Sequence, residues 1–365
     1  MPEPKTPRGP NSDARFLGWQ ETPSGAIVPF FVITAEGHPL YHSTVSETTL
    51  RNLGLRVPEL HSPNGETGPS PWHNVGIALN RPGTAREAIE IAGLDYTVAK
   101  KFQGSETGLR SDAWVTIRTD TGEILGSTAN SDEPIQNRDA FAFFDAMVKS
   151  RLAVYETAGI IGRGERIWIQ VRLPGYITVH GNDVVKKYLL LTNSHDGGIS
   201  LQVKLAPIRV VCNNTLTCAF QGFREGEFLR HPDSEIDTDF AIAMLGKSHL
   251  LFERVGVIFN RMAARKITER ELRDYLRALV PDREGTEDNA EAERLRDDML
   301  QLHDAGRGAY LARGTLWGAF NSVTEYTDHM MLDGDATARL NSIWFGRGEQ
   351  FKLKAFHLAE RMMPA

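Results

Sequence analysis

Residues 165–216 combine cationic, amide and aromatic side chains at a spacing that suits contact with a polyanion. In Arg166–Leu173 apolar and polar residues alternate, and Ile199–Leu205 repeats this pattern. Strand side chains alternate between the two faces of a sheet, so the polar residues share one face. A ring among cations suits a single-stranded nucleic acid, because bases stack on rings while Arg and Lys contact phosphates.

The candidate nucleic-acid contacts are the cations on or beside this face and the one ring on which a base can stack. They are Arg166, Trp168, Arg172, Lys186, Lys187, Lys204 and Arg209. The alternative is an ordinary solvent-exposed face of an antiparallel sheet, for which such patterns are common. The sequence leaves both interpretations open.

A second group of residues has the chemistry of a metal or hydrolytic site. His195 and Asp196 lie in a cluster of turn-forming residues, where the histidine could act as a base or a ligand. Glu325, Asp328 and His329 share one stripe of a predicted helix, and such side chains bind divalent metals in nucleases. A turn held together by its own side chains explains His195 and Asp196 equally well, and an ordinary polar helix face explains Glu325, Asp328 and His329. Neither explanation requires catalysis or metal binding. We therefore predict no catalytic residue, metal or cofactor and keep these five as weaker candidates.

Composition is that of a globular protein of 365 residues, and its net charge of −6 gives no global basic field. Charge is unevenly distributed. Residues 149–230 hold eleven Lys/Arg against six Asp/Glu, whereas residues 282–305 hold three against nine. A locally basic sheet beside an acidic helix is compatible with polyanion binding.

The two cysteines are too few for a disulfide framework or a zinc ligand set. No run of 18 apolar residues occurs, and the first residues lack the apolar core of a signal peptide. We therefore expect a cytoplasmic protein that makes no membrane contact.

Local patterns predict an α+β fold, in which an antiparallel meander is followed by long helices. Thr84 caps a helix that ends near Gly93, and Thr268 with Glu271 forms a capping box for another. Helical periodicity predicts a helix at Arg138–Leu152 and dominates after residue 236, where it includes Ala309–Met331 and Ala336–Met362. The predicted arrangement is a β-β-β-α-like core with a mostly helical C-terminal half.

The predicted domain organisation has five parts. Composition indicates a disordered tail at residues 1–13, a small N-terminal α/β module at 14–59 and a Gly- and Pro-rich linker at 60–71. The α+β core with its sheet spans 72–235, and the helical region spans 236–365.

Several stretches together resemble a family of actinobacterial and phage proteins labelled phage/plasmid-like, which carry a domain of unknown function. In chain order the stretches are Pro71–His73, Arg118–Gly126, Pro134–Arg138, Tyr188–Gly197, Pro207–Leu216 and Thr324–His329. The resemblance covers about residues 71–357 and implies a setting in mobile elements. The predicted β-β-β-α core is similar to that of single-strand annealing proteins of the RecT and Redβ kind, an analogy of fold that does not by itself imply function.

The first functional hypothesis is a non-catalytic, homo-oligomeric protein that binds or anneals single-stranded DNA in phage or plasmid recombination or repair. Duplex DNA is a possible second partner. The alternatives are a metal-dependent nuclease or hydrolase and a structural or partner-binding protein of a mobile element.

Overall fold

A computed structural model describes most of the chain beyond residue 76 and three strands ahead of it. The described residues are 13–21, 27–35, 38–42, 77–79, 84–103, 113–128, 133–149, 153–180, 182–198, 201–211, 214–216, 218–219, 238–282, 289–332 and 336–364. The predicted linker at 60–71 and all but the last residue of the predicted tail at 1–13 lie outside them.

The strands precede most of the helices. In chain order they are β1 (Asp13–Glu21), β2 (Ile27–Ala35), β3 (His38–His42), β4 (Ile77–Ala78), β5 (Val98–Gln103), β6 (Ala113–Arg118), β7 (Ile124–Thr128), β8 (Val154–Ile161), β9 (Arg166–Val179), β10 (Asp183–Ser194), β11 (Gln202–Arg209), β12 (Asn214–Thr215) and β13 (Cys218–Ala219). The helices are α1 (Ala85–Ala92), α2 (Asn137–Ala142), α3 (Asp145–Lys149), α4 (Thr238–Ala264), α5 (Glu269–Leu279), α6 (Ala290–Ala305), α7 (Ala309–Ala312), α8 (Leu316–His329), α9 (Ala336–Phe345) and α10 (Arg347–Met362). The α+β class and the helical C-terminal half are thus confirmed.

The described strands form three antiparallel sheets. The main sheet has the order β12-β11-β10-β9-β8-β4, with β13 also pairing with β11. The predicted meander is its centre, because β8, β9, β10 and β11 pair with their sequence neighbours. Strands β1-β2-β3 and β5-β6-β7 form two smaller sheets.

Pro207 lies inside β11, although proline lacks the backbone N–H that a strand ladder uses. Its neighbours Ile208 and Arg209 pair with β12, and Lys204 and Leu205 pair with β13. Pro207 falls between these two short partners, so its missing N–H interrupts neither ladder.

Both faces of the main sheet are covered, which corrects the expectation of one polar, solvated face. The larger hydrophobic core lies on one face and includes Ile169, Leu189 and Phe320. On the other face α9 packs a second, smaller cluster around Trp168 and Trp344. The alternation predicted which residues share a face, but a helix more than 100 residues away determines that the polar face is buried.

The helix caps agree with the sequence, while three of the predicted helices are interrupted. Thr84 accepts a hydrogen bond from the Glu87 amide, and the Thr268–Glu271 capping box is complete. The predicted helix at 138–152 is split into α2 and α3, and the one at 336–362 is divided at Gly346 into α9 and α10. The one at 309–331 ends its first turn before Gly314, whose φ is +72°. Glycine tolerates this left-handed backbone, which allows the chain to turn before α8. Within the described ranges, we find no helix with the length and apolarity needed to cross a bilayer.

Candidate functional site

Trp168, the ring predicted to stack a base, is buried under α9. Its side chain is fully inaccessible, and its ring lies edge-on to the ring of Trp344 with 4.8 Å between centroids. Leu340 and Ile343 complete this contact from α9. The expected exposure of Trp168 was wrong, because a base cannot reach its ring while α9 is in place.

Two of the cations on the same face are bound within the protein. Arg166 forms an ion pair with Asp196 at 2.9 Å and donates a hydrogen bond to the Asn341 side-chain oxygen at 2.5 Å. Lys204 is buried and forms an ion pair with Glu349 at 2.7 Å. Asn341 lies on α9 and Glu349 on α10, so these cations attach the C-terminal helices to the sheet.

Arg172 and Lys186 lie towards the other end of this face. Arg172 donates to the Glu156 carboxylate at 2.8 Å, and the Tyr188 hydroxyl donates to the same carboxylate at 2.6 Å. Lys186 is half-buried and lies opposite Ile208 in the register of β10 and β11. Arg172 therefore has a role in holding β8 to β9 and β10.

Lys187 and Arg209 are buried rather than solvent-facing. Arg209 pairs with Asp183 at 2.6 Å, and the Trp317 indole N–H donates to the same carboxylate at 2.8 Å. Burial lowers the pKa of Lys187 to about 8, against the weaker opposing charge of Glu253. Neither cation is placed to meet a phosphate in this conformation.

His195 is a buried, neutral side chain that joins α2 to β10. The side-chain nitrogen of Asn137 donates to the Leu94 carbonyl, so its oxygen accepts from His195 Nε2, 2.8 Å away. Burial lowers the pKa of His195 to about 4, although the Asp196 charge acts in the opposite direction. The ring also meets Tyr96 edge-on, with 6.3 Å between centroids.

Asp196 stabilises the turn that follows β10. Its carboxylate accepts hydrogen bonds from the Ser194 hydroxyl and from the Gly198 amide. Burial tends to raise the pKa of Asp196, but these hydrogen bonds and the charge of Arg166 bring it below its ordinary value. Gly126 of β7 lies against the Asp196 backbone so closely that a β-carbon there would collide with it.

The polar stripe on α8 is directed into the protein. Asp328 is fully buried, accepts from Lys352 at 2.7 Å and also accepts from the amide and hydroxyl of Thr215. Glu325 accepts from the Arg307 amide at 2.8 Å, and burial raises its pKa. His329 is half-buried at the end of α8. These contacts anchor α8 and α10 to the edge of the main sheet.

The five candidate metal ligands do not converge on one point. In the part of the chain that the structure describes, there is no group of three or more His, Cys, Asp and Glu residues placed to hold a metal ion. Both oxygens of Asp328 already accept hydrogen bonds, and Asp196 is paired with Arg166. The arrangement is that of structural networks.

An exposed aromatic pair lies on the smaller sheet β5-β6-β7. Phe102 and Trp114 are direct partners in the register of β5 and β6, and their rings meet at 62° with 5.3 Å between centroids. Phe102 is 52 % exposed. Lys101 is exposed, and Lys100 lies beside the pair on the face of β5 that carries Phe102.

This aromatic pair is not among the site residues that the sequence predicts. Phe102 and Trp114 lie in segments whose residue patterns predict strands. The run Lys100-Lys101-Phe102, which combines cations with a ring, is the feature of the sequence that could have indicated a site. What the sequence did not supply is the register of β5 with β6, which places Phe102 directly opposite Trp114.

The small sheet is fixed to the rest of the protein by polar side chains. The Gln136 amide pairs with both backbone groups of Val98, at 3.0 Å to its nitrogen and 2.9 Å to its oxygen, as a neighbouring strand would. Arg118 lies over the Tyr96 ring, 3.9 Å from its centroid, and forms an ion pair with Asp120. The aromatic pair is therefore presented on an anchored element.

A cleft of about 380 Å³ separates the start of α5 from the end of α6. Its lining includes Arg273, His303 and Arg313. His303 Nε2 accepts a hydrogen bond from the Gly314 amide at 3.3 Å, so this nitrogen is not available as a general base.

Comparison with known proteins places most of this architecture in one family. Residues 124–344, more than half of the chain, match the family described as Domain of unknown function (DUF932). No curated protein and no solved structure matches the chain.

Proposed function

From the premise that the chain belongs to the family described as Domain of unknown function (DUF932), we propose that it binds single-stranded DNA through Phe102 and Trp114. The observation that supports this is an aromatic pair whose exposed ring, Phe102, lies beside Lys100 on one face of an anchored antiparallel sheet. The pair precedes the matched residues 124–344, so the proposal concerns this chain rather than the whole family.

The geometry of the pair favours one stacked base. In an edge-to-face contact one ring presents its edge to its neighbour and keeps a face available to a third partner. Phe102 is the more exposed of the two, so its ring is the proposed platform. Bases in a duplex are already stacked on each other, whereas those of a single strand are free to stack on a side chain. Lys100, which lies on the same face of β5 as Phe102, supplies charge for an adjoining phosphate, whereas Lys101 lies on the opposite face.

We further propose a non-catalytic, homo-oligomeric protein that acts in recombination or repair of a phage or plasmid in the cytoplasm. The sequence resemblance to phage and plasmid-like proteins, and the analogy of the predicted fold with the β-β-β-α core of annealing proteins, support this setting. The internal pairing of Asp196 and Asp328 supports a role without metal-dependent hydrolysis.

Fluorescence anisotropy with a labelled oligothymidylate tests the site. Phe102→Ala is expected to weaken binding by about 1–3 kcal/mol through lost stacking and to leave the salt dependence unchanged. Lys100→Ala is expected to flatten the log–log salt slope by about 0.7 for each phosphate that the protein no longer neutralises. The control is Tyr310→Ala, which removes an aromatic side chain that is 80 % exposed on α7 and should not change binding.

Binding by Phe102→Ala that equals binding by the parent would overturn the proposed site. Equal affinity for duplex and single strand would overturn the stacking argument. Light scattering that shows only monomer at micromolar concentration, with and without the oligonucleotide, would contradict the annealing role.

A further inference from the structure

The covered face of the main sheet holds a second set of groups suited to a single strand. Arg166, Trp168 and Lys204 lie there beneath α9, which attaches through the smaller hydrophobic cluster rather than through the main core. Because the two clusters are separate, displacing α9 would leave the contacts of the main core in place.

The contacts made by α9 and its junction with α10 resemble those that a nucleic acid offers. Lys204 Nζ donates to the Trp344 carbonyl at 2.6 Å, and the Asn341 oxygen accepts from Arg166. The Phe345 ring centroid lies 5.0 Å from Lys204 Nζ. Oxygen acceptors beside cations, and rings beside rings, are what phosphates and bases provide.

The fit of α9 to this face is incomplete. The side-chain polar atoms Trp168 Nε1, Gln170 Nε2 and Thr192 Oγ1 are buried without a hydrogen-bond partner among the described residues. They are close together, because Thr192 is opposite Trp168 in the register and Gln170 is two residues further along β9. Buried polar groups without partners are unfavourable, so this face can gain hydrogen bonds from another occupant.

We propose that α9 is an internal occupant of a second single-strand contact and leaves this face when single-stranded DNA binds. The incoming strand then takes the place of Asn341 at Arg166 and supplies acceptors to Trp168 and Gln170. This inference rests on the proposed function, since Phe102 and Trp114 provide the contact that is open before α9 moves.

Two substitutions change the stability of the closed state, in which α9 covers the main sheet, in opposite directions. Neither removes the apolar contacts of α9. Asn341→Ala removes the acceptor for Arg166 and is expected to tighten binding to an oligothymidylate of about 30 nucleotides by about 3- to 10-fold, because the open fraction rises. Thr192→Val replaces a hydroxyl that has no partner with an isosteric methyl group, so it should raise the Tm and weaken binding. The control is Asn260→Ala, which removes comparable amide contacts to Thr178 and His180 from α4 and should lower the Tm without changing affinity.

Hydrogen exchange of the full chain supplies an independent readout. Backbone amides of residues 336–345 should lose protection when the oligothymidylate is saturating, while those of α8 keep theirs. Unchanged protection of α9 and equal affinity of Asn341→Ala and parent would overturn this inference. If Phe102→Ala still weakens binding in that case, only the movement of α9 is wrong. If α9 loses protection while Phe102→Ala binds as well as the parent does, this inference is supported and the site at Phe102 is overturned. If neither the parent nor Asn341→Ala binds the oligothymidylate, both proposals are overturned.

Discussion

The main sheet and the small sheet β5-β6-β7 carry similar patterns of cations and rings, yet only the small sheet presents them. Trp168 is buried against Trp344 of α9, whereas Phe102 and Trp114 pair at a sheet that leaves Phe102 half exposed. Arg166 on the main sheet is held by Asp196, whereas Lys101 on the small sheet is exposed. The alternation of side chains along a strand determines which residues share a face. The packing of distant elements determines whether that face is accessible to a ligand.

The largest expected difference between the two regions is in stability. Trp168→Ala should lower the free energy of unfolding by about 3–5 kcal/mol, because it leaves a cavity against Trp344 in a closely packed cluster. Urea unfolding followed by circular dichroism measures this loss. A loss below about 1 kcal/mol would mean that α9 is only loosely packed, since surface substitutions rarely exceed that value.

The parts of this architecture that the sequence predicts are those set by local chemistry. Thr84 and Thr268 cap helices as expected, since a cap depends on residues within one turn. The meander follows from alternation and turn residues. The cover over the polar face could not be predicted, because the approach of Trp344 to Trp168 depends on how α8 and α10 place α9.

The same distinction applies to the candidate site residues. His195, Asp196, Glu325 and Asp328 have residue types that suit chemistry. Asp196 bonds Ser194 and Gly198 within its own turn, as a turn-forming residue can. Asp328 instead gains its partners, Lys352 and Thr215, across a long stretch of chain. Contacts of this kind depend on tertiary packing, so residue type alone does not separate a ligand set from a structural network.

His195 provides a pH test of the buried networks. Its pKa in the folded protein is about 4, below the value of 6.5 expected when unfolded, so the unfolded chain binds more protons between these values. Stability from this group should be complete above pH 6.5 and fall by about 3 kcal/mol as the pH drops through 4. His195→Gln should flatten that part of the stability curve. As a matched control, His357→Gln removes an exposed histidine on α10, and its stability is measured over the same pH range.

Burial of Lys187 is expected to affect stability in the opposite direction. Its pKa of about 8 lies below the ordinary 10.5, so the folded state carries a desolvation penalty at pH 7. Lys187→Met should therefore stabilise the protein by about 1–3 kcal/mol at pH 7, with the gain shrinking as the pH rises from 8 towards 10.5. Thermal unfolding across this pH range measures it, with Lys186→Met, a half-buried neighbour, as the control. A lower Tm for Lys187→Met at pH 7 would show that the amine has a favourable partner when folded.

The smallest expected effect on stability completes the comparison. Phe102→Ala should change the free energy of unfolding by less than about 0.5 kcal/mol, because the side chain is half exposed and leaves no buried cavity. The same substitution should weaken oligothymidylate binding by more than it changes stability, since stacking on an aromatic side chain contributes about 1–3 kcal/mol per base. A ring retained for packing would give the opposite order, with stability lost and binding unchanged. Urea unfolding and anisotropy on one preparation of Phe102→Ala therefore decide whether the small sheet presents its aromatic pair for a ligand or uses it to hold β5 against β6.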